Sequence, residues 1–266
     1  MAADNAIKIT LSILLFVVTS SNAQVQPWLP SPLGEDWLRT HEGFVSNSRV
    51  NGSNIAVLFY GDSITRRWQT DGLPVYNEFY VPLGTADYGV GGDSTQHVLW
   101  RIMNGEVDNI RPRVCVLKIG TNNIGSFNEF EIARGISAII VQLTARLPTT
   151  RILLVGVLPR NNATMTEVTE NINRYVSIFD NGDSIRFLNM VDHFYTGNGS
   201  FSQELYLDDL LHLSPAGYVK WHEVMWPLFN EMYLQYDHSA GYAGVQISLS
   251  LMAALISFIS VKSLIA

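Results

Sequence analysis

Five strand candidates, separated by stretches of helical spacing, constrain the fold of this chain more than any single residue does. They are Ile55–Tyr60, Thr85–Tyr88, Val114–Ile119, Arg151–Val157 and Arg186–Met190. Ile55–Tyr60, Val114–Ile119 and Arg151–Val157 are nearly continuous apolar runs, as expected of parallel strands covered on both faces. Between and after them, Ser94–Met103, Phe127–Leu147, Thr166–Phe179 and Ser214–Gln235 read as helices. Ile132, Ile136, Ile139, Ile140, Leu143 and Leu147 recur every three or four positions, so one face of that helix seeks a sheet. Ser214-Pro215 is a good helix start, and Asp93 or Ser94 is suited to cap the helix that carries His97, Val98 and Trp100. The segment from Gln24 to Asn54, with prolines at 27, 30 and 32, reads as a lead-in whose Trp37, Leu38 and Phe44 cover one edge of the core. This alternation predicts a doubly wound α/β/α sandwich.

The chain has 266 residues, enough for one domain with a full core and terminal extensions. With 47% hydrophobic and 15% charged residues it is too apolar for disorder. Its formal net charge is -7 and it has no dense basic cluster, which argues against a nucleic-acid partner. Arg66-Arg67 and Arg111-Pro112-Arg113 read as local ion pairs or helix-end charges. Cys115 is the single cysteine, so no internal disulfide forms; in its apolar strand it reads as a small buried hydrophobe. Cys/His zinc spacing is absent, and no metal or other cofactor is expected.

The two ends read as addresses. Lys8 precedes the apolar stretch Ile9–Val18, and small residues at Ser21 and Ala23 fit a signal-peptidase site, so residues 1–23 read as a signal peptide. Residues 239–266 open with Ser239-Ala240-Gly241 and continue as a mostly apolar tail, either a lipid-anchor attachment signal or one transmembrane helix. Both place the domain, residues 24–238, in the secretory pathway: tethered to the outer face of the plasma membrane, or secreted. Three N-glycosylation sequons, at Asn51, Asn162 and Asn198, sit in turn-like stretches and agree with that exposure.

The chemistry-bearing residues begin at Gly61-Asp62-Ser63-Ile64, directly after the first strand. A serine there presents its hydroxyl at the sheet's carboxyl edge, where open α/β folds build their sites. A serine hydroxyl is a poor nucleophile without a base, and His212 is the best candidate. Asp209, three residues earlier, falls on the same side of a turn and can hold one ring nitrogen while the other faces Ser63. Asp208 is at the wrong spacing. Asp62 is expected to fix the turn through backbone bonds. The Ser63 amide, the Gly92 amide and the Asn122 side chain are candidate oxyanion donors. His97, His193 and His222 read as ordinary polar or core histidines, and His41 and His238 as surface groups.

Ser63, Gly92, Asn122 and His212, in this order, resemble the signature residues of the SGNH hydrolases, also called GDSL esterases. Tyr88-Gly89-Val90-Gly91-Gly92-Asp93-Ser94-Thr95-Gln96-His97-Val98-Leu99-Trp100-Arg101, Asn104-Gly105-Glu106, Ile119-Gly120-Thr121-Asn122-Asn123 and Val157-Leu158-Pro159-Arg160 look like the catalytic subunits of intracellular platelet-activating-factor acetylhydrolase. The resemblance spans about residues 36–235. It implies a flavodoxin-like sandwich with five parallel strands, a Ser63–His212–Asp209 triad, an oxyanion hole from Ser63, Gly92 and Asn122, and no metal. It also implies an acyl pocket shaped by Ile64, Thr121 and Leu211, small and often acetyl ester substrates, and a possible homodimer. Those subunits are cytosolic and lack the two terminal segments of this chain, so their β-propeller partner is not expected here.

These readings converge on a serine esterase that removes short acyl groups from lipids or small molecules through an acyl-enzyme. The rivals are a carbohydrate acetylesterase of the same fold and a non-catalytic cell-surface binding module.

Overall fold

The computed structural model describes residues 25–160 and 163–239, of which 163 and 236–239 are described in backbone only. Residues 1–23, read above as a signal peptide, together with Asn162, the His238 side chain and the apolar tail from residue 240, lie outside the described residues.

Five strands form one parallel sheet: β1 (Val57–Gly61), β2 (Thr85–Gly89), β3 (Val114–Lys118), β4 (Arg151–Val155) and β5 (Ile185–Leu188), in the order β2-β1-β3-β4-β5. The strand order reverses between β1 and β3, the place where open α/β sheets leave a crevice at their carboxyl edge. β1 pairs with both neighbours in register, Gly61 standing beside Gly89 and Lys118. The helices are α1 (Glu35–Asn51), α2 (Ser63–Arg66), the single turn α3 (Leu73–Val75), α4 (Thr95–Arg101), α5 (Glu129–Arg146), α6 (Ala163–Val176) and α7 (Pro215–Ser239).

The apolar runs divide by the two-residue period of a strand. Leu58, Tyr60, Cys115, Leu117, Ile152 and Leu154 face the layer that contains α4, α5 and α6. Val57, Phe59, Val114, Val116, Leu153 and Val155 face α7 and an aromatic cluster around Trp68, Tyr80, Tyr218 and Trp221. The expected sandwich is therefore present, with β1, β3 and β4 buried on both faces and the edge strands β2 and β5 partly exposed. The expected strand ends differ by one or two residues because hydrogen-bonded pairing stops where neighbours diverge, not where the apolar run stops.

Three expectations are corrected. Residues 35–51, within the stretch read as a lead-in, form a 17-residue helix. Its inner face carries Trp37, His41 and Ser48, all buried, so an apolar period is hardly visible. His41 is accordingly not a surface group: it is buried, and its Nδ1 meets Glu106 Oε1 at 2.8 Å. Ser48 Oγ lies 2.7 Å from the Tyr88 hydroxyl, so this helix docks through hydrogen bonds as well as apolar contact. Asn51 closes α1 rather than sitting in a loop, while Asn198 lies in an exposed turn. Between β1 and β2 the chain makes short helical turns, fixed by the burial of Trp68, Tyr76 and Tyr80.

Among the described residues no helix is long and apolar enough to cross a membrane.

Ile139 is fully buried on the sheet-facing side of α5. Ile139→Ala is expected to cost ~2–5 kcal/mol through the cavity it leaves. A fall in the urea midpoint at unchanged m-value is the measurement that checks it.

Candidate active site

The turn after β1 places Ser63 at the first position of α2. Gly61 has to be glycine there, since a Cβ would stand 2.1 Å from the Lys118 carbonyl oxygen. Asp62 caps the helix, its Oδ1 accepting the Ile64 N–H at 2.9 Å, as its expected structural role requires. Its Oδ2 meets Lys118 Nζ at 3.2 Å, with both side chains sealed from solvent. Burial lowers the Lys118 ammonium pKa, against the pull of Asp62. The Tyr218 hydroxyl, from α7, donates to the Ile64 carbonyl at 2.6 Å and holds the other end of the turn.

His212 comes from the loop before α7. Its Nε2 lies 2.8 Å from Ser63 Oγ, across 149 residues of sequence. Its Nδ1 lies 2.6 Å from Asp209 Oδ2. A carboxylate only accepts, so Nδ1 carries the proton and Nε2 is left free to accept the Ser63 hydroxyl. Asp209 Oδ1 also accepts the N–H groups of Leu211 and His212, each at 2.9 Å. Desolvation works to raise the Asp209 carboxyl, but the His212 ring and these amides hold it down to about 2. The loop achieves this with Leu210 at φ 52, a left-handed conformation that a bulky residue rarely adopts. Asp208 is exposed.

The other two candidate donors come from the loops after β2 and β3. Gly92 has φ 80, where a side chain would be strained. Its N–H has no hydrogen-bond partner among the described residues. Asn122 Nδ2 donates to the Asp93 carbonyl at 2.8 Å, which fixes the amide and leaves its second N–H unused. The next residue, Asn123, is fully buried and ties the two loops together. Its Oδ1 accepts the Thr95 N–H and its Nδ2 donates to Gln96 Oε1, both at 3.0 Å.

Ile64 and Thr121 are buried and Leu211 is partly buried; each adjoins Ser63, Asn122 or His212 in the chain. Arg160 Nη2 donates to the Thr121 carbonyl at 2.8 Å and holds that loop.

The spacing of the motifs pointed to Ser63, His212 and Asp209, and the fold brings them together. The roles of several neighbours are not visible in the motifs. Lys118 and Arg101 each pair with a carboxylate in the interior. Lys118 has a sequence signal: a lone charge inside a doubly covered strand must find a partner.

Among the described residues no group of three or more His, Cys, Asp or Glu side chains is arranged to hold a metal ion.

His97 caps α4 from within: its Nδ1 accepts the Ser94 N–H at 3.0 Å. Burial, with the Arg101 charge added, lowers its ring pKa to about 4. An unfolded histidine titrates near ~6.5. Below that value the unfolded chain binds a proton that the native state refuses, so stability from this group is full above ~6.5 and declines as pH falls toward the native value. Burial pushes the Asp93 carboxyl up to about 6, against the pull of Arg101, which acts in the opposite direction. His97→Gln keeps an acceptor three residues after Ser94, the usual capping-box arrangement. Relative to the parent chain, this variant is expected to gain roughly 1 kcal/mol between pH 7 and pH 5, a figure discounted for partial solvent screening. Urea unfolding of both proteins at the two pH values measures it.

A family model described as GDSL-like lipase/acylhydrolase matches residues 59–220. The chain is 33% identical over 207 residues to the platelet-activating factor acetylhydrolase IB subunit alpha2 of Rattus norvegicus, an alignment covering 74% of this chain and 87% of that one. It is 36% identical over 186 residues to the alpha1 subunit of Bos taurus, covering 68% and 77%. In fold it is similar to a GDSL-like lipase from Bacteroides thetaiotaomicron, with a TM-score of 0.56 at 20% identity, covering 73% of this chain and 97% of that one.

Proposed function

The chain belongs to the GDSL-like lipase/acylhydrolase family and is an ester hydrolase, and we propose that it cleaves short, acetyl-type esters of lipids or small molecules with a Ser63–His212–Asp209 triad. The observation that carries this reading is the 2.8 Å contact between Ser63 Oγ and His212 Nε2, with Asp209 on the far ring nitrogen. The relatives named as platelet-activating factor acetylhydrolase subunits support an acetyl ester as substrate.

Ser63 Oγ attacks the ester carbonyl carbon as its proton passes to His212 Nε2. The carbonyl π electrons move to oxygen, and the resulting anion is met by the amides of Ser63 and Gly92 and by Asn122 Nδ2. The tetrahedral intermediate collapses by breaking the bond to the alkoxy oxygen, which takes the proton from His212 and leaves as an alcohol. Water then attacks the acyl-enzyme, with His212 again accepting a proton, and the acid leaves as Ser63 is restored. Asp209 remains ionised throughout and steadies the imidazolium. Ile64, Thr121 and Leu211 bound the acyl group and limit its length.

We also infer that residues 1–23 and 239–266 are a signal peptide and an anchoring tail around a domain of residues 24–238. The domain would then act in the secretory pathway or at the outer cell surface, glycosylated at Asn51, Asn162 and Asn198. The terminal patterns and sequons support this. Release of the protein from cells by a phosphatidylinositol-cleaving phospholipase is the expected result for a lipid anchor; retention in the membrane fraction identifies a spanning helix.

Ser63→Ala is expected to lower kcat on an acetyl ester by ~10³-fold or more and to abolish labelling by a fluorophosphonate. A folded Ser63→Ala protein that keeps its turnover would overturn the triad. In a panel of acetylated phospholipid, small acetyl esters and acetylated sugars, preference for the sugars would redirect the substrate assignment to carbohydrate.

A further inference from the structure

Both candidate oxyanion donors outside the nucleophile turn adjoin one residue, Asp93. Its backbone N–H donates to the Val90 carbonyl at 3.3 Å and closes the turn that contains Gly92. Its carbonyl accepts Asn122 Nδ2 at 2.8 Å. Its carboxylate is fully buried and accepts hydrogen bonds at both oxygens. Oδ1 accepts Trp37 Nε1–H at 2.7 Å; Oδ2 accepts Arg101 Nε–H at 2.9 Å and lies 2.8 Å from its Nη2 in an ion pair.

Arg101 also has no exposed surface, and it relates Asp93 to the sheet. Its Nη2 donates to the carbonyls of Tyr88, at 3.1 Å, and Gly61, at 3.3 Å, near the carboxyl ends of β2 and β1. Its Nη1 donates to Glu106 Oε2 at 2.6 Å, and Glu106 in turn meets the Tyr60 hydroxyl and His41. A single guanidinium thus touches the strand that leads to Ser63, the strand that leads to Gly92 and the carboxylate of Asp93.

We propose that Asp93 is a positioning residue: anchored through its carboxylate to Arg101 and Trp37, it aims the Gly92 amide and the Asn122 side chain at the oxygen of the reacting carbonyl. This rests on the oxyanion roles given to Gly92 and Asn122 in the proposed function. Aspartate suits the position because both hydrogen-bond partners of the carboxylate, Trp37 and Arg101, are donors. An asparagine would turn an N–H2 toward Arg101 or Trp37 and leave one donor unmatched. The consequence falls on the transition state, where charge grows on the carbonyl oxygen, more than on the ground state.

The test is a double-mutant cycle on the full chain with p-nitrophenyl acetate as the probe, comparing the parent protein, Asn122→Ala, Asp93→Asn and the combined variant. Asn122→Ala is expected to lower kcat by ~100-fold. Asp93→Asn is expected to lower kcat by about 10-fold or more, with KM held within about 3-fold. The combined variant should lose distinctly less than the product of the two single losses, because both changes act on the same donor. Full kcat in folded Asn122→Ala would overturn the oxyanion reading itself, and with it the role of Asp93. A large loss in Asn122→Ala, together with an unchanged kcat in Asp93→Asn or strictly multiplicative losses, would overturn the positioning role alone. If Asp93→Asn does not fold, Trp37→Phe removes the indole donor while keeping an aromatic ring at the site. It is expected to lower kcat by about 3- to 10-fold, an effect suppressed in the Asn122→Ala background; unchanged kcat, or an undiminished effect in that background, overturns the proposal.

Discussion

A guanidinium removed from water must be surrounded by acceptors, and the arrangement that satisfies Arg101 organises one side of this molecule. Asp93, Glu106 and the carbonyls of Gly61 and Tyr88 take its donors, and the Tyr60 ring lies 4.6 Å from its centre. Ion pairs buried this deeply add little net stability, since each charge gives up its hydration, but removing one partner leaves the others uncompensated. The group therefore acts mainly as a constraint. It allows only the arrangement in which α4, the ends of β1 and β2 and the loop holding Gly92 sit together. Glu106 extends the constraint to α1 through His41.

A second buried charge pair fixes the nucleophile turn from beneath. Asp62 has one oxygen on the Ile64 amide and the other on Lys118, which reaches it from the next strand. From the opposite layer Tyr218 grips the Ile64 carbonyl. The serine hydroxyl thus lies between fixed supports. By contrast, His212 and Asp209 stand on a loop toward solvent, the Asp209 side chain being 47% exposed. Rigid supports under the nucleophile and the candidate oxyanion donors, with an open side at the base, suit an ester entering from solvent.

The apolar runs that became β1, β3 and β4 were legible because strands covered on both faces leave few polar positions to confuse the pattern. The long apolar periods of α5 were legible for the same reason. Helix α1 was not, because its buried face is made of His41 and Ser48 as well as Trp37, and hydrogen bonds replace the aliphatic stripe. The turns between β1 and β2 owe their form to aromatic packing against α7, which no local window contains. Ser63, Asp209 and His212 stood out by residue type and spacing. Asp93 was legible only as a possible cap, and the cap is in fact Ser94 with His97, while Asp93 turns inward to Arg101.

Local periodicity and residue type were enough to place the five strands, the four helices α4 to α7 and the side chains with the chemistry of an acyl-transfer site, though not α1. Which charge meets which was settled by packing across the sheet. Lys118 with Asp62, and Arg101 with Asp93 and Glu106, are pairings set by strand order and register across the sheet. The same is true of the meeting of Ser63 with His212. Such contacts arise from the closing of long loops, and nothing local to either partner encodes the other.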